Sequence, residues 1–287
     1  MYDNFNNLKD FLNNNKVFNL EKNKIIDYEV DSDKYVYTKL WENKSQNLTI
    51  TYKLNNFLFR SRHFEKLNLN NTNILFGGCS QTFGEGLPEE YVWTNMLIKK
   101  LKKENTFNNI TDYNIGMTGD SIDLCIKNVI GFIEEFGKPN HIFLCLPDIG
   151  RSIFYSDRYK EYSIFYMNPG FLYLKDLQKR NMLQNYKYED NIQRHSLTIK
   201  LFEKYCSEAG INLFWTTWDT QDAKLYNELN FSNFVYLEGL DPDVLRKKKN
   251  VNSYKFWDIA EDKNHFGSSW TSYLSNKFFE AVNDKIN

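Results

Sequence analysis

The chain is poor in the residues that mark secreted and metal-binding proteins. Its 287 residues include only four cysteines, four histidines and five prolines. The cysteines are widely spaced and form no Cys-x-x-Cys pair, so we expect a reducing, cytosol-like compartment. No histidine is paired with a cysteine at zinc-ligand spacing. The sequence therefore predicts no zinc site.

Long apolar runs and an excess of one charge are also missing. No stretch of about 18 apolar residues is present, so no membrane-spanning helix is predicted. The first residues, MYDNFNNLKDFLNNN, lack the basic region and apolar core of a signal peptide, and we expect a cytoplasmic protein. The net charge of −1 shows no excess of basic residues that would bind nucleic acid or an anionic membrane surface, so neither is an expected partner.

What the chain does contain, from residue 71 onward, is an alternation of short apolar runs with amphipathic segments. The runs lack polar alternation and mostly end at Gly or Pro, as in parallel strands buried on both faces. Their sequences are NILFGG, YNIGM, HIFLCLP, INLFWTT and FVYLEG. Helical spacing between them predicts helices beginning near Pro88, Ser121 and Ser268. Repeated β-α-β units predict an α/β fold, a three-layer α/β/α sandwich with a mostly parallel five-stranded sheet.

Two segments depart from this pattern. Residues 1–70 contain a short amphipathic stretch around Phe5 and Leu12 and two strand-like runs, KYVYTKL and LTITYKLNNFLF. We interpret them as an N-terminal appended lobe preceding a main domain of residues 71–287. Residues 150–189 are crowded with Tyr and Phe and follow the third predicted strand. Since ligands bind beyond the carboxyl ends of parallel strands, this insertion is either a cap over a site or a satellite hydrophobic cluster.

The stretch NILFGGCSQTFGEGL, residues 73–87, places a serine at the carboxyl end of the first core strand. The Ser80 hydroxyl is a candidate nucleophile, provided that a base removes its proton. Gly84 and Gly86 are predicted to shape the wall of a substrate-binding loop. The Cys79 thiol is either a second candidate nucleophile or a small buried filler.

A base for this serine is offered by the segment AEDKNHFGSSW, in which Asp262 lies three residues before His265. In a bend of this size the carboxylate can reach one imidazole nitrogen and leave the other facing outward. The remaining histidines, at positions 63, 141 and 195, are expected to have structural roles.

A donor for a developing oxyanion is offered by the segment NIGMTGDS at the end of the second core strand. A glycine amide of Gly116 or Gly119 can direct its N–H toward a bound carbonyl. The same glycines are also explained by a strand-to-helix turn that needs a positive φ angle.

These blocks, in this order, resemble those of the SGNH or GDSL hydrolase family. The matching segments are GGCSQTFGEGL, NIGMTGDS and DKNHFG, and the resemblance covers roughly residues 71 to 285. It implies a flavodoxin-like SGNH hydrolase fold with Ser80 as nucleophile, His265 as general base and Asp262 as its orienting partner. It also implies that the amides of Ser80 and Gly119 form an oxyanion hole.

The chain departs from the family pattern at two places. Cys79 replaces the aspartate of the GDS block, which is not a triad residue. The segment after the third predicted strand reads CLPDIGR and lacks the Asn that serves the family as a third oxyanion donor. Arg151 is either a charged substitute for that donor or part of an ion pair that anchors the loop.

The function implied by these blocks is a serine ester hydrolase that acts on a small-molecule or glycan ester and requires no cofactor and no metal. The resemblance and the aromatic segment 150–189 favour an O-acetyl group on a carbohydrate. An O-acyltransferase would use the same residues. Because the Asn is missing, a third hypothesis stays open, namely a catalytically weak or inactive module with a carbohydrate-binding or structural role.

Overall fold

The structure is a computed structural model that describes residues 28–31, 34–42, 47–55, 57, 59–156, 161–166, 188–237 and 265–286. The predicted helix around Phe5 and the predicted triad residue Asp262 lie outside these residues. Within them, no helix combines the length and the apolar character needed to cross a membrane.

The described chain begins with three antiparallel strands, β1 (Tyr28–Asp31), β2 (Lys34–Glu42) and β3 (Asn47–Leu54). Both strand-like runs of the N-terminal segment are therefore confirmed as strands. The second is shorter than predicted, because the chain turns at Asn55. The Asn55 Oδ1 atom accepts the backbone N–H groups of Phe57 and Phe59 and closes that turn.

The central sheet has four parallel strands in the order β5-β4-β6-β9. They are β4 (Thr72–Gly78), β5 (Ile110–Asn114), β6 (His141–Leu146) and β9 (Asn212–Thr217). This order places the topological switch point beside β4, where the crevice of such sheets lies. The prediction of five strands is corrected to four among the described residues, since Phe234 forms only an isolated bridge to Trp215.

Two further strands form a separate antiparallel hairpin in the 150–189 segment, β7 (Arg151–Ser156) and β8 (Glu161–Tyr166). The sequence did not predict this hairpin, because its aromatic residues follow no clear period. The role of the segment as a cap stays a prediction.

Helices connect the parallel strands and cover both faces of the sheet. They are α1 (Ser80–Phe83), α2 (Trp93–Lys103), α3 (Ile122–Phe136), α4 (Tyr188–Glu208), α5 (Thr220–Glu228) and α6 (Ser268–Ile286). The helix predicted to begin at Pro88 begins instead at Trp93, after a 3₁₀ turn over Glu89–Tyr91 and an extended Val92. The α3 helix begins as predicted, because the Ser121 hydroxyl accepts the Leu124 N–H.

The core lies in two layers, one on each side of the sheet. Strand alternation directs Ile74 and Phe76 toward α2 and α6, whereas Leu75 faces α3 and α4. This arrangement confirms the three-layer α/β/α sandwich. Phe59 and Phe64, from the segment before residue 70, pack in the layer that contains α3. These two aromatic residues therefore share a core with the α/β domain, and a division at residue 70 stays a prediction.

Candidate active site

Two neighbouring loops at the carboxyl edge of the sheet contain most of the predicted site residues. We call residues 79–87, which follow β4, the β4 loop, and residues 147–151, which follow β6, the β6 loop. At the junction of β4 and its loop, Gly78 has φ +146°, and a Cβ atom there would lie 2.4 Å from the Cys145 carbonyl oxygen. Only glycine fits this sharp turn, which places Ser80 at the first position of α1.

The structure brings Ser80 and His265 together. The Ser80 Oγ atom lies 2.8 Å from His265 Nε2, although the two residues are 185 positions apart in the chain. Ser80 is 4% exposed, and the His265 side chain is 20% exposed. With Nε2 unprotonated, the imidazole accepts the serine hydroxyl as a general base does.

The start of α6 anchors His265. The adjacent Phe266 ring stacks on Trp270 with 4.8 Å between ring centroids, and both rings are buried in the layer of α2 and α6. The Thr271 N–H donates to the Gly267 carbonyl and continues the helix. The imidazole therefore projects from a packed helix start toward the β4 loop.

Glu85 is a site residue that the sequence reasoning missed. Its Oε2 atom lies 3.9 Å from His265 Nε2. A signal was present, because Glu85 stands between the two glycines of the loop that follows the candidate nucleophile. Its carboxylate therefore lies near the same imidazole nitrogen that faces Ser80.

Gly84 and Gly86 both have a φ of +77°, which a left-handed turn favours. Gly84 ends α1, where its N–H donates to the Ser80 carbonyl at 2.8 Å. The Gly86 N–H donates to the Tyr52 hydroxyl at 2.9 Å. These contacts give both glycines a conformational role, and their contact with a substrate stays a prediction.

Gly116 and Gly119 have different surroundings. A Cβ atom at Gly116 would lie 2.7 Å from the Phe83 nitrogen, and the Gly116 N–H already donates to the Asn114 Oδ1 atom. Gly116 therefore allows the second strand end to approach α1. Gly119 has φ +76°, which fits a turn. The oxyanion hole formed by the amides of Ser80 and Gly119 stays a prediction.

Arg151 is held within the β6 loop. Its Nε atom lies 2.9 Å from Asp148 Oδ2, and its Nη1 atom donates to the Asp120 carbonyl at 3.2 Å. Burial raises the pKa of Asp148, and the Arg151 charge opposes that rise. Arg151 therefore forms an ion pair within the loop, and its role as an oxyanion donor stays a prediction.

The β6 loop is also held by two buried side chains from elsewhere in the chain. Asp222 accepts the Ile149 N–H at 2.7 Å, and the Asn191 amide donates to the Ile149 carbonyl at 2.9 Å. Both backbone groups of Ile149 therefore have partners.

Because Asp120 lies fully buried, the pKa of its carboxyl group is raised well above the usual value.

The cysteines and the other histidines occupy different surroundings. Cys79 is buried, with its Sγ atom 4.0 Å from Ser80 Oγ. His141 is buried against Phe107, and burial lowers the pKa of its imidazole to about 4. His195 is buried with its Nδ1 atom 3.5 Å from Asp123 Oδ1. Within the described ranges, no group of three or more His, Cys, Asp or Glu side chains could hold a metal ion.

Comparisons with known proteins find distant likenesses among solved structures. No family model and no curated protein matches the chain. A psychrotrophic esterase from Pseudoalteromonas sp. is 12% identical, with 76% of this chain and 100% of that chain covered and a TM-score of 0.43. A catalytic mutant of an acetylxylan esterase from Geobacillus stearothermophilus is 13% identical, with 74% and 94% covered and a TM-score of 0.44. A member of the lipolytic protein G-D-S-L family from Veillonella parvula is 12% identical, with 72% and 96% covered and a TM-score of 0.41.

Proposed function

We propose that the protein is a serine ester hydrolase in which Ser80 is the nucleophile and His265 the general base. The observation that carries this proposal is the 2.8 Å separation between Ser80 Oγ and His265 Nε2. Nucleophile and base pairs are separated by roughly 2.6–3.2 Å. A hydroxyl and an imidazole held at this distance by two separate segments form a pair that can transfer a proton.

The reaction would proceed by two acyl transfers. Ser80 Oγ attacks the ester carbonyl carbon while its proton moves to His265 Nε2. The imidazolium then gives that proton to the leaving alcohol oxygen as the ester C–O bond breaks. Water attacks the resulting acyl-enzyme, His265 removes its proton, and the carboxylic acid product leaves as Ser80 regains a hydrogen.

Two further roles belong to this proposal through the family resemblance. Asp262 would orient the imidazole by accepting a hydrogen bond from its other nitrogen. The amides of Ser80 and Gly119 would donate to the oxyanion of the tetrahedral intermediate. Arg151 remains a further candidate donor to this oxyanion, although its pairing with Asp148 favours the two backbone donors alone.

The substrate we propose is a small-molecule or glycan ester, with an O-acetyl group on a carbohydrate as the first choice. The resemblance supports this choice. An O-acyltransferase would follow the same steps with an alcohol in place of water. The lack of an Asn in the segment CLPDIGR favours one other candidate, a carbohydrate-binding or structural module without catalysis.

The test uses p-nitrophenyl acetate and a fluorophosphonate probe on the full chain. Wild-type protein should hydrolyse the ester and label covalently, and Ser80→Ala should do neither. Ser275→Ala is the matched control, since this serine is also buried but lies on α6, with its hydroxyl bonded to the Ser272 carbonyl. Folded wild-type protein that neither labels nor hydrolyses would support the non-catalytic module. Acyl transfer to an added sugar alcohol would support the acyltransferase.

A further inference from the structure

A buried arginine from the N-terminal segment holds the backbone of the β4 loop. Arg60 is 7% exposed. Its Nη1 atom donates to the Gly84 carbonyl at 2.8 Å and to the Phe83 carbonyl at 3.3 Å. Its Nη2 atom donates to the Leu87 carbonyl at 3.0 Å. The planar guanidinium thus joins three carbonyls across the end of the loop, which a lysine ammonium could not do in this geometry.

Tyr52 completes this contact from strand β3. The Arg60 Cζ atom lies 4.7 Å from the centre of the Tyr52 ring, in cation–π contact. The Tyr52 hydroxyl accepts the Gly86 N–H, and its ring lies 5.3 Å from that of Phe83. Arg60 and Tyr52 together, which we call the loop clamp, therefore bind both carbonyl and amide groups of the β4 loop.

The clamp is itself fixed to the α/β domain. The Asn55 amide donates to the Arg62 carbonyl, which closes the turn between Tyr52 and Arg60. Beside Arg60, the Ser61 hydroxyl accepts the Asn114 N–H at the end of β5. Arg60 is therefore held by the same sheet edge that presents Ser80.

The clamped loop contains two groups of the candidate active site. The Ser80 carbonyl accepts the N–H groups of both Gly84 and Glu85, so a shift of the loop backbone is passed to Ser80. The same loop places the Glu85 carboxylate 3.9 Å from His265 Nε2. Any loosening at Gly84 to Leu87 would change both relationships together.

We propose that Arg60 and Tyr52 are positioning residues for the active site. They fix the β4 loop, and through it the relative places of Ser80, Glu85 and His265. The catalytic consequence rests on the proposed function, whereas the hold on the loop does not. On this view the N-terminal segment supplies part of the active-site unit.

The experiment combines two measurements on full-length variants well below their Tm. Amide hydrogen exchange reports the hold on residues 83–87, and the rate constant of fluorophosphonate labelling reports the reactivity of Ser80. Tyr52→Phe removes only the hydroxyl that accepts the Gly86 N–H, so exchange in the loop should rise about fivefold. Labelling should slow in the same variant by about three- to tenfold, because small displacements of reacting groups are costly.

Arg60 is tested with a conservative series. Arg60→Gln should slow labelling by about tenfold or more. Arg60→Lys should recover part of the rate, because a single ammonium nitrogen can still bond part of the carbonyl set. Arg62→Gln is the matched control, since Arg62 is half exposed and pairs with Glu65. Tyr226→Phe controls for loss of a buried tyrosine hydroxyl away from the loop. Both controls should label at the wild-type rate.

Three outcomes would decide the proposal. Unchanged labelling in Tyr52→Phe and Arg60→Gln, with only a lower Tm, would assign a purely structural role and overturn it. Unchanged exchange in residues 83–87 would overturn the clamp itself, and Tyr52→Phe decides this even if Arg60→Gln fails to fold. Wild-type protein that does not label would overturn the proposed function, and exchange would then decide the clamp alone.

Discussion

The β4 and β6 loops leave adjacent parallel strands at the same edge of the sheet, yet they are stabilised in different ways. The β4 loop is held through its backbone, by Arg60 and Tyr52 from the N-terminal segment. The β6 loop is also held through its backbone, by Asp222 and Asn191 at Ile149, but it adds an ion pair between two of its own side chains, Arg151 and Asp148. In the β4 loop, by contrast, the Ser80 Oγ atom lies 2.8 Å from His265 Nε2, outside the loop.

This difference shows that two loops at the carboxyl ends of adjacent strands need not have the same chemical role. The family resemblance predicts an oxyanion donor in each of the two loops. Charge-assisted hydrogen bonds are strong and geometrically specific, so the Arg151 guanidinium in an ion pair with Asp148 has a structural use already. The β4 loop thus contains the candidate nucleophile, whereas the charged side chains of the β6 loop pair with each other. Four predictions test this comparison.

The largest effect is expected at the base that faces the β4 loop. His265→Ala should reduce kcat for ester hydrolysis on the order of 10⁴–10⁶-fold, because Ser80 loses the group that accepts its proton. Asp222→Ala, at the β6 loop, should leave kcat within about twofold while costing about 1–3 kcal/mol of stability for the orphaned Ile149 N–H. Steady-state kinetics and urea unfolding measure the two effects. Equal losses of kcat in both variants would contradict the contrast between the loops.

The next largest effect is expected at Gly78, where β4 ends beside β6 and the β4 loop begins. An added Cβ would lie 2.4 Å from the Cys145 carbonyl and 2.2 Å from Thr82 Oγ1, at φ +146°. Gly78→Ala should cost about 3–5 kcal/mol, from backbone strain and overpacking. Gly210→Ala is the matched control, since φ there is +71° but no atom lies within 4 Å of the added Cβ. It should cost only about 1–2 kcal/mol by denaturant unfolding.

Arg151→Ala tests whether the ion pair of the β6 loop contributes to stability rather than to catalysis. Removing one partner of this largely buried pair should cost about 3 kcal/mol at neutral pH, with kcat nearly unchanged. Without the opposing Arg151 charge, the pKa of Asp148 would lie further above its unfolded value. The deficit should therefore shrink as pH falls through that raised pKa, because protonated Asp148 no longer leaves a buried charge without its partner.

Unfolding curves at several pH values measure this prediction, and the double variant Asp148→Asn/Arg151→Ala should recover part of the lost stability. A drop in kcat of about 10²–10³-fold at unchanged KM would instead assign Arg151 as an oxyanion donor.

The smallest effect is expected at His141, at the opposite end of β6 from the site. Burial lowers the pKa of this imidazole from 6.5 to about 4. The unfolded chain binds a proton near pH 6.5 while the folded chain does not, so stability should fall as pH drops through this window. The loss should reach about 1 kcal/mol between pH 7 and pH 5.5. His141→Gln should flatten this part of the stability profile, and an unchanged slope would exclude His141 as its source.

Much of the fold was predictable, because its signals are local. The buried strands β4, β6 and β9 are short apolar runs, and the start of α3 follows from a serine cap at Ser121. The hairpin β7–β8 was missed, since its residues show no period that distinguishes a strand. The fifth predicted strand forms only an isolated bridge at Phe234 among the described residues, because an apolar run does not by itself form a ladder.

The sequence by itself determined which chemical groups stand at strand ends and in what order, including Ser80 after β4 and His265 before α6. Only the tertiary structure decided that these two meet at 2.8 Å, that Glu85 lies beside them and that Arg60 holds their loop. The physical reason is the difference in sequence separation between the two kinds of interaction. Periodicity, capping and turn chemistry act over a few residues, whereas these contacts join atoms 23 to 185 positions apart and depend on how the sheet edge is packed.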